Sequence, residues 1–264
     1  MAYSYDYDKT RTLAVQLTTY NSLELLKAAI ESVYAQDCQA IDHVYLEVTN
    51  NGSTDATMNW LNSYDVADGD DALVVSNQLV NQSPVKLANN ALWRLFSQEG
   101  FSEVLMMPND VVLPSDFVDH LRSWPRGVVT ASMSGEMPTG EPTYGVRAVS
   151  ENTPMAVVLW RKWCYDAVVA EYGYFLDEGF WFYGSDCDLA LRMAALGIRG
   201  VQLDIPYYHF GSASWKTAPE PEKQMMLIQA DIDREYFEKK WNFRVDDPEY
   251  SRLAADLNFK GRSR

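Results

Sequence analysis

The chain has few cysteines and histidines. It contains three of each among 264 residues. The cysteines, Cys38, Cys164 and Cys187, share no spacing of the kind that binds zinc, and their number does not suggest a disulfide framework. We therefore expect reduced, mostly buried thiols in a cytoplasmic protein.

Long apolar segments and targeting signals are also lacking. Met155–Trp160 is among the longest apolar runs and is far too short to cross a bilayer. Met1–Lys9 is polar and is not a basic region followed by an apolar one, so we expect no signal peptide. The sequence predicts no transmembrane segment.

Basic residues are scarce relative to acidic ones. The chain has 22 Lys and Arg against 37 Asp and Glu, for a net charge of −15. This balance disfavours broad electrostatic binding to DNA, RNA or anionic membranes. It is compatible with a divalent cation site, which needs carboxylates. Hydrophobic residues make up 47%, enough for a sizeable core.

Strand and helix patterns alternate in the first half of the chain. Helical patterns begin after Asn21 or Ser22, after Asn51–Asp55 and at Ser83-Pro84, where Pro suits the first helical position. This alternation predicts an α/β fold with a mostly parallel central sheet flanked by helices. The predicted strands are Leu13–Thr18, Val44–Val48, Leu73–Ser76 and Val104–Met107.

The second half is less regular, and no linker in it justifies a domain boundary. Its predicted helices begin near Arg161, cover 186–196 and run from Pro221 through Trp241, before a polar tail. Ser134–Tyr144 is rich in Gly, Pro and Thr and is predicted as a loop. The predicted strands are Gly127–Ser132, Pro154–Trp160 and Val201–Leu203.

Polar clusters follow the predicted strands: Thr18–Asn21, Thr49–Asp55 and Asn109-Asp110. Ligands bind outside the carboxyl ends of parallel strands. Asp110 could hold a divalent cation against a diphosphate, although Pro-Asn-Asp is also a good turn former. His209 is either a structural histidine or a second metal ligand.

Asp186 stands at the predicted start of a helix, behind an aromatic segment. It is either an ordinary helix cap or a general base that takes the proton of an attacking hydroxyl. Asp188 and Arg192, four residues apart, are expected to form a structural ion pair.

The order of these segments resembles glycosyltransferase family 2, particularly its rhamnosyltransferase-like members, over about residues 12–242. The resemblance implies the GT-A nucleotide-diphospho-sugar transferase fold. Five segments carry it together with Arg192 and Gly197: Thr19–Asn21, Asn50–Asp55, Asn109–Val111, Tyr183–Leu189 and His209.

This resemblance implies roles for individual residues. Asp110 and His209 would bind Mn²⁺ or Mg²⁺, Asp186 would be the catalytic base, and Trp181, Tyr183 and Ser185 would lie on the acceptor side. The residues implied to bind the nucleotide-sugar are Thr19, Asn21, Asn50, Asn51, Asp55, Asn89 and Asn109.

Three positions depart from the family pattern. Pro108-Asn109-Asp110 keeps only the last acid of the family's Asp-x-Asp, Asn50 stands where the family usually has Asp, and Ser185 replaces an acid before Asp186. Metal affinity, the donor base and the tuning of Asp186 depend on these changes.

The implied function is inverting, metal-dependent transfer of a sugar from a nucleotide-sugar to an acceptor hydroxyl of a glycan, lipid-linked sugar, protein or small molecule. Two alternatives are glycosylation of hydroxylated DNA bases, which the acidic charge disfavours, and a decayed sugar-nucleotide-binding module. A nucleotidyltransferase would carry a basic, Gly-rich loop after the first strand. Thr18–Ser22 follows that strand and contains no Gly, Lys or Arg, which disfavours this class.

We expect residues 1–264 to form a single domain. Residues 12–115 would be its nucleotide-sugar-binding half, 116–242 its acceptor and catalytic half, and 243–264 a tail. The loop over residues 133–152 is expected to shape acceptor choice.

Overall fold

The computed structural model describes residues 8–64, 71–124, 128–134, 148–150, 156–211, 215–216 and 218–255. It confirms the α/β fold, with a central sheet flanked by helices. The first half contains β1 Thr12–Thr19, α1 Leu23–Tyr34, β2 His43–Asn50, α2 Thr57–Ser63, β3 Ala72–Asn77, α3 Pro84–Trp93, β4 Glu103–Pro108 and β5 Val111–Val112.

The second half contributes the remaining strands and the longest helix. It contains α4 Phe117–Arg122, β6 Val128–Ser134, β7 Ala148–Ser150, β8 Val158–Arg161, α5 Lys162–Tyr172, α6 Ser185–Ala195, β9 Gly200–His209, α7 Glu220–Trp241 and α8 Pro248–Ala255. Of the earlier expectations, Gly127, residues 135–147 and 151–155 lie outside the described residues, and with them most of the 133–152 loop.

The strands of the described residues form one sheet in the order β3-β2-β1-β4-β8-β6-β9-β5, with β7 paired to β9. Strands β1 to β4 are mutually parallel, and β6 and β9 run in the same direction as they do. Strands β5, β7 and β8 run the opposite way. The mostly parallel sheet is therefore confirmed, with the parallel order interrupted where β8 inserts beside β4.

Strand β1 lies between β2 and β4 and is buried on both faces of the sheet. Leu13, Val15 and Leu17 pack into one hydrophobic cluster, and Ala14 packs into the other. All four are completely buried. Near-continuous apolar runs of this kind are typical of parallel strands covered by helices on both sides.

Helix starts follow the expected chemistry in one case and not in another. Ser83 caps α3, since its hydroxyl accepts a hydrogen bond from the Lys86 N–H at 3.3 Å. Ser22 precedes α1 in a left-handed conformation, and neither it nor Asn21 caps this helix with a side-chain hydrogen bond. Asn21 is used elsewhere, as described below.

The segment expected to be a polar tail is partly helical. Within α8, Leu253 is buried, and Tyr250 packs edge-on against Phe237 of α7 at a centroid distance of 6.3 Å. The expectation of a tail from residue 243 was wrong for Pro248–Ala255, since apolar side chains at positions 250 and 253 cover α6 and α7.

Candidate active site

Several strands end at one edge of the sheet. Because β1, β2, β4 and β9 run in the same direction, their carboxyl ends, at Thr19, Asn50, Pro108 and His209, meet at the same edge. This is the edge at which open α/β sheets bind ligands.

Asp110 and His209 come together at this edge. Asp110 occupies the turn between β4 and β5, and β5 pairs antiparallel with β9 so that Val111 lies opposite His209. The His209 Nε2 atom is 3.2 Å from Asp110 Oδ1, and the Phe210 N–H donates to the Asp110 carbonyl at 2.9 Å. The Asp110 side chain is 7% exposed and that of His209 19%. The two candidate metal ligands are thus neighbours although about a hundred residues separate them.

Tyr207 lies two residues before His209 on β9. Burial, and then the charge of Asp110, raise the pKa of Tyr207, so its hydroxyl stays protonated at neutral pH. The hydroxyl is buried and has no hydrogen-bond partner among the described residues. Buried polar atoms normally have a hydrogen-bond partner, so the unpaired Tyr207 hydroxyl is unusual.

A network of side chains joins the ends of β1 and β4 to the loop after β2. Asn109 Nδ2 donates to Thr19 Oγ1 at 2.9 Å and to the Asn21 carbonyl at 3.3 Å. Asn21 Oδ1 accepts from the Thr54 N–H at 2.8 Å and from the Asp55 N–H at 3.4 Å. Asn21 makes these contacts from a left-handed backbone conformation (φ 55°), which Asn tolerates.

The remaining amide candidates are also bonded within the protein. Asn50 donates to Asn77 at 2.9 Å, and Asn51 exchanges hydrogen bonds with Gln82. Asn89 bonds both the N–H and the carbonyl of Leu176, which ties α3 to the segment before α6. Asp55 is exposed, and its carboxylate accepts from the Thr57 N–H at 3.0 Å. The bonds of Asn50 and Asn51 fix the shape of the edge at the end of β2.

The loop after β2 packs closely on the segment before α3. Gly52 has φ 76°, and a Cβ atom there would lie 2.6 Å from the Val80 carbonyl carbon and 2.7 Å from the Asn81 nitrogen. Only glycine fits this approach of two backbones.

Asp186 lies at the start of α6, half-buried. Its Oδ1 accepts from the Cys187 N–H at 2.8 Å. Burial, and then the charge of Asp186, raise the pKa of the Cys187 thiol to about 12, so this neighbour does not ionise near neutral pH. The hydrogen bonds of the Asp110–His209 pair described above do not extend to Asp186, and its role as a base stays a prediction.

The acceptor-side candidates precede α6 as an exposed aromatic loop. Trp181, Phe182 and Tyr183 are 40%, 64% and 44% exposed. The Ser83 hydroxyl donates to the Trp181 carbonyl at 2.9 Å, which ties the loop to the start of α3 beyond the carboxyl end of β3. Ser185 is buried, and its hydroxyl donates to the Phe182 carbonyl at 3.0 Å.

Helix α7 carries buried charges that the sequence did not reveal as important. Asp233 is completely buried and contacts the aromatic loop. Lys240 lies 2.6 Å from both Asp177 and Asp188, and its side chain is only 15% exposed. Spacing could have revealed Asp233, because it precedes the buried Phe237 and Trp241 by four and eight residues.

Asp188 and Arg192 form the predicted structural ion pair. Both side chains are completely buried, with Arg192 Nε 2.8 Å from Asp188 Oδ2. Trp241 Nε1 also donates to Asp188, at 2.9 Å. Burial alone would lower the pKa of Lys240, but Asp188 and Asp177 raise it above its ordinary value.

Lys240→Met is expected to destabilise the protein by about 3–5 kcal/mol, because it leaves the buried Asp177 and Asp188 without their shared cation. The measurement is urea unfolding near pH 7, with the exposed neighbour Lys239→Met as control. A loss below about 1 kcal/mol, the range of surface pairs, would contradict this account.

The same ion pair predicts a pH dependence. Burial would raise the pKa of Asp177, yet Lys240 and the Gly179 N–H hold it below its usual value of 3.8. A lowered pKa stabilises the fold above pH 3.8, and this contribution is lost as the pH falls through the lowered value. The difference in free energy of unfolding between wild type and Asp177→Asn should therefore be constant above about pH 4 and shrink as the pH falls below 3.8.

Comparison with solved structures identifies the fold. No family model and no curated protein sequence matches the chain. It is similar to S. aureus TarS in complex with UDP, with 19% identity, a TM-score of 0.55, and coverage of 89% of this chain and 73% of that one. It spans 44% of a longer TarS structure.

Two further structures share the architecture. The mannosyltransferase PcManGT from Pyrobaculum calidifontis, in complex with GDP-Man and Mn²⁺, has 16% identity and a TM-score of 0.56, over 97% of this chain and 76% of that one. Glucosyl-3-phosphoglycerate synthase from Mycobacterium tuberculosis, in complex with Mn²⁺, UDP and phosphoglyceric acid, has 14% identity and a TM-score of 0.50, over 87% and 78%. The chain has the GT-A fold of these glycosyltransferases.

Two features of the described residues bear on other expectations. None of their helices has the length and apolarity needed to span a bilayer. They contain no cluster of three or more His, Cys, Asp or Glu side chains suited to a metal ion. A metal ion held by Asp110 and His209 would therefore not take a third ligand from a His, Cys, Asp or Glu side chain among the described residues.

Proposed function

We propose that the protein is an inverting, metal-dependent glycosyltransferase that moves a sugar from a nucleotide-sugar to an acceptor hydroxyl. The observation that carries the proposal is the Asp110–His209 pair, with Nε2 and Oδ1 3.2 Å apart at the ligand edge of the sheet. The fold supports it, since the similar PcManGT was solved with GDP-Man and Mn²⁺.

The pair fits a hard divalent cation. Asp110 supplies a carboxylate oxygen and His209 an imidazole nitrogen, and Mg²⁺ commonly takes one or two protein ligands, with substrate phosphates and water completing its shell. When bound, Mn²⁺ or Mg²⁺ would neutralise the charge that develops on the departing diphosphate.

Residues at the ends of β1, β2 and β4 would shape the donor site. Asn21, Asn51 and Asn109 would act mainly by holding the loops in place, since their amides already bond neighbouring chain. Asp55 is exposed and could meet the donor directly. Thr19 and Asn50 complete the proposed set through contacts at the same edge. Asn89 bonds Leu176 and would act by holding α3 against the segment before α6.

Asp186 would act on the acceptor. Its carboxylate would take the proton of the acceptor hydroxyl as the oxygen attacks the anomeric carbon of the donor. The bond from that carbon to the diphosphate breaks in the same step, and its electron pair leaves with the nucleoside diphosphate. One displacement inverts the configuration at the anomeric carbon.

A donor screen tests the proposal. Purified protein would be incubated with UDP-glucose, UDP-GlcNAc or GDP-mannose and Mn²⁺, with and without oligosaccharide acceptors, so that either water or an added hydroxyl takes the sugar. The release of UDP or GDP and the melting temperature would be measured. We expect turnover of one donor that EDTA abolishes, and a donor at 100-fold its Kd to add roughly 2.7 kcal/mol of stability. Stabilisation without turnover would instead indicate a sugar-nucleotide-binding module. The absence of both would refute the proposal.

A further inference from the structure

The carboxylate of Asp233 is surrounded by backbone N–H groups of the aromatic loop. Oδ1 accepts from the Trp181 N–H at 2.9 Å, and Oδ2 accepts from the N–H groups of Phe182 at 2.8 Å and Tyr183 at 2.7 Å. Gln229 Nε2 donates to Oδ1 at 3.1 Å. Three successive amides that converge on one anion form a nest, here filled by the protein's own side chain.

This carboxylate is completely buried, and no Lys, Arg or His in the described part of the chain forms an ion pair with it. Burying a charge without a counter-ion is costly unless hydrogen bonds compensate. Four donors satisfy the acceptor sites of the carboxylate, so the Asp233 charge and the loop conformation depend on each other.

The loop backbone is held on its other side as well. Its carbonyls at positions 181 and 182 accept from the hydroxyls of Ser83 and Ser185. Arg234 lies 4.6 Å from the ring centroid of Tyr183. The backbone is therefore fixed while all three aromatic side chains remain exposed.

Exposed aromatic side chains on a fixed backbone are organised for binding rather than for packing. Neighbouring exposed aromatics are a marker of interaction sites. A surface ordered before binding loses less conformational entropy when the ligand arrives. The loop leads directly through Gly184 into α6 and Asp186, the residue that the proposed function assigns to the acceptor hydroxyl.

We propose that Asp233 is a positioning residue that holds Trp181–Tyr183 as a preformed binding surface for a saccharide acceptor. The inference rests on the proposed function, because it assigns the acceptor class of that same site. Asp233 touches neither donor nor acceptor and acts only through the three amides.

The test is Asp233→Asn. The variant keeps the shape of the side chain but replaces one carboxylate oxygen, which accepts hydrogen bonds, by an NH₂ group, which cannot accept. Depending on the orientation of the amide, the lost hydrogen bonds are the one from the Trp181 N–H or those from Phe182 and Tyr183. Hydrogen exchange at these amides should accelerate by roughly tenfold or more, the effect of losing one charge-assisted hydrogen bond. Misplacing the loop should lower acceptor kcat/KM by roughly 10- to 100-fold through the acceptor KM, with the donor KM unchanged.

Saccharide binding is measured separately, by saturation-transfer NMR with cellotetraose, maltotetraose and chitotetraose. This readout and hydrogen exchange need no turnover, so they remain informative if the donor screen fails. Glu235→Gln on the same helix is the matched control, since that side chain is exposed and the change likewise replaces a carboxylate by an amide. It should change neither measurement.

Asp233→Glu keeps the charge and serves as the second variant if Asp233→Asn does not fold. It should restore part of the amide protection and of the saccharide signal. Unchanged exchange at 181–183 in Asp233→Asn would overturn the proposal. So would faster exchange with undiminished saccharide binding, or no saccharide binding by the wild type.

Discussion

Asp110→Asn is expected to lower metal-dependent release of UDP or GDP by roughly 100- to 1,000-fold, the cost of removing one group that stabilises developing charge. Asparagine keeps the shape of the side chain but loses the anionic oxygen that lies 3.2 Å from His209 Nε2. The measurement is initial rate against Mn²⁺ concentration with the donor identified by the screen.

Two variants make this result specific to the cation. His209→Ala removes a proposed metal ligand but no negative charge. We therefore expect the Mn²⁺ concentration that gives half the maximal rate to rise by roughly 10- to 100-fold. The maximal rate itself should fall less than in Asp110→Asn. Asp166→Asn makes the same chemical change at an exposed position on α5 and should match wild type. If Asp110→Asn keeps wild-type activity at low Mn²⁺, the metal site lies elsewhere.

Asp186→Asn is expected to lower kcat for transfer by roughly 100- to 10,000-fold, because the amide cannot take the acceptor proton. Donor binding, followed as the melting shift with the donor and Mn²⁺, should be retained. The melting temperature itself should change little, since the described hydrogen bond of this carboxylate is to the adjacent Cys187 N–H, near the surface.

Asp188→Asn provides the contrast, two residues away on the same helix. Asp188 is completely buried, forms ion pairs with Arg192 and Lys240, and accepts a hydrogen bond from the Trp241 indole. Its loss should destabilise the protein by several kcal/mol, as expected for breaking a buried network. An Asp186→Asn protein that transfers sugar at more than half the wild-type rate would show that another group is the base.

The strand and helix pattern of the first half was predictable because its periodicity is local. Strand β1 was expected at Leu13–Thr18 and is Thr12–Thr19, and α3 begins at the Ser83-Pro84 signal. The convergence of Asp110 and His209 was one of two alternatives that the residues left open for His209, and the family resemblance favoured it. The residues could not decide, since the convergence depends on how β5 and β9 pair.

Other features depend on tertiary contacts that no local pattern encodes. Val201–Leu203 was expected as a short strand, but β9 extends to His209, because its continuation pairs with β6 and β5. The role of Lys240 depends on two carboxylates from distant segments, and α8 exists because its apolar side chains cover α6 and α7.

The amide at position 109, beside Asp110, has a structural role. Asn109 uses its NH₂ group to donate to the Thr19 hydroxyl and the Asn21 carbonyl. A carboxylate there could not donate to the Asn21 carbonyl and would repel it. The amide therefore fits the network that fixes the loops, and leaves Asp110 as the acid of this turn.

The two-residue strand β5 has a consequence for how this site tolerates insertions and deletions. Val111 lies opposite His209, so changing the length of β9 by one residue between Pro206 and His209 would turn the imidazole to the other face of the sheet. The pairing of β9 with β6 already changes register between Leu203 and Pro206. Length changes at that irregularity would be absorbed without moving His209. Changes beyond it would separate His209 from Asp110 and leave the parallel strands β1 to β4 intact.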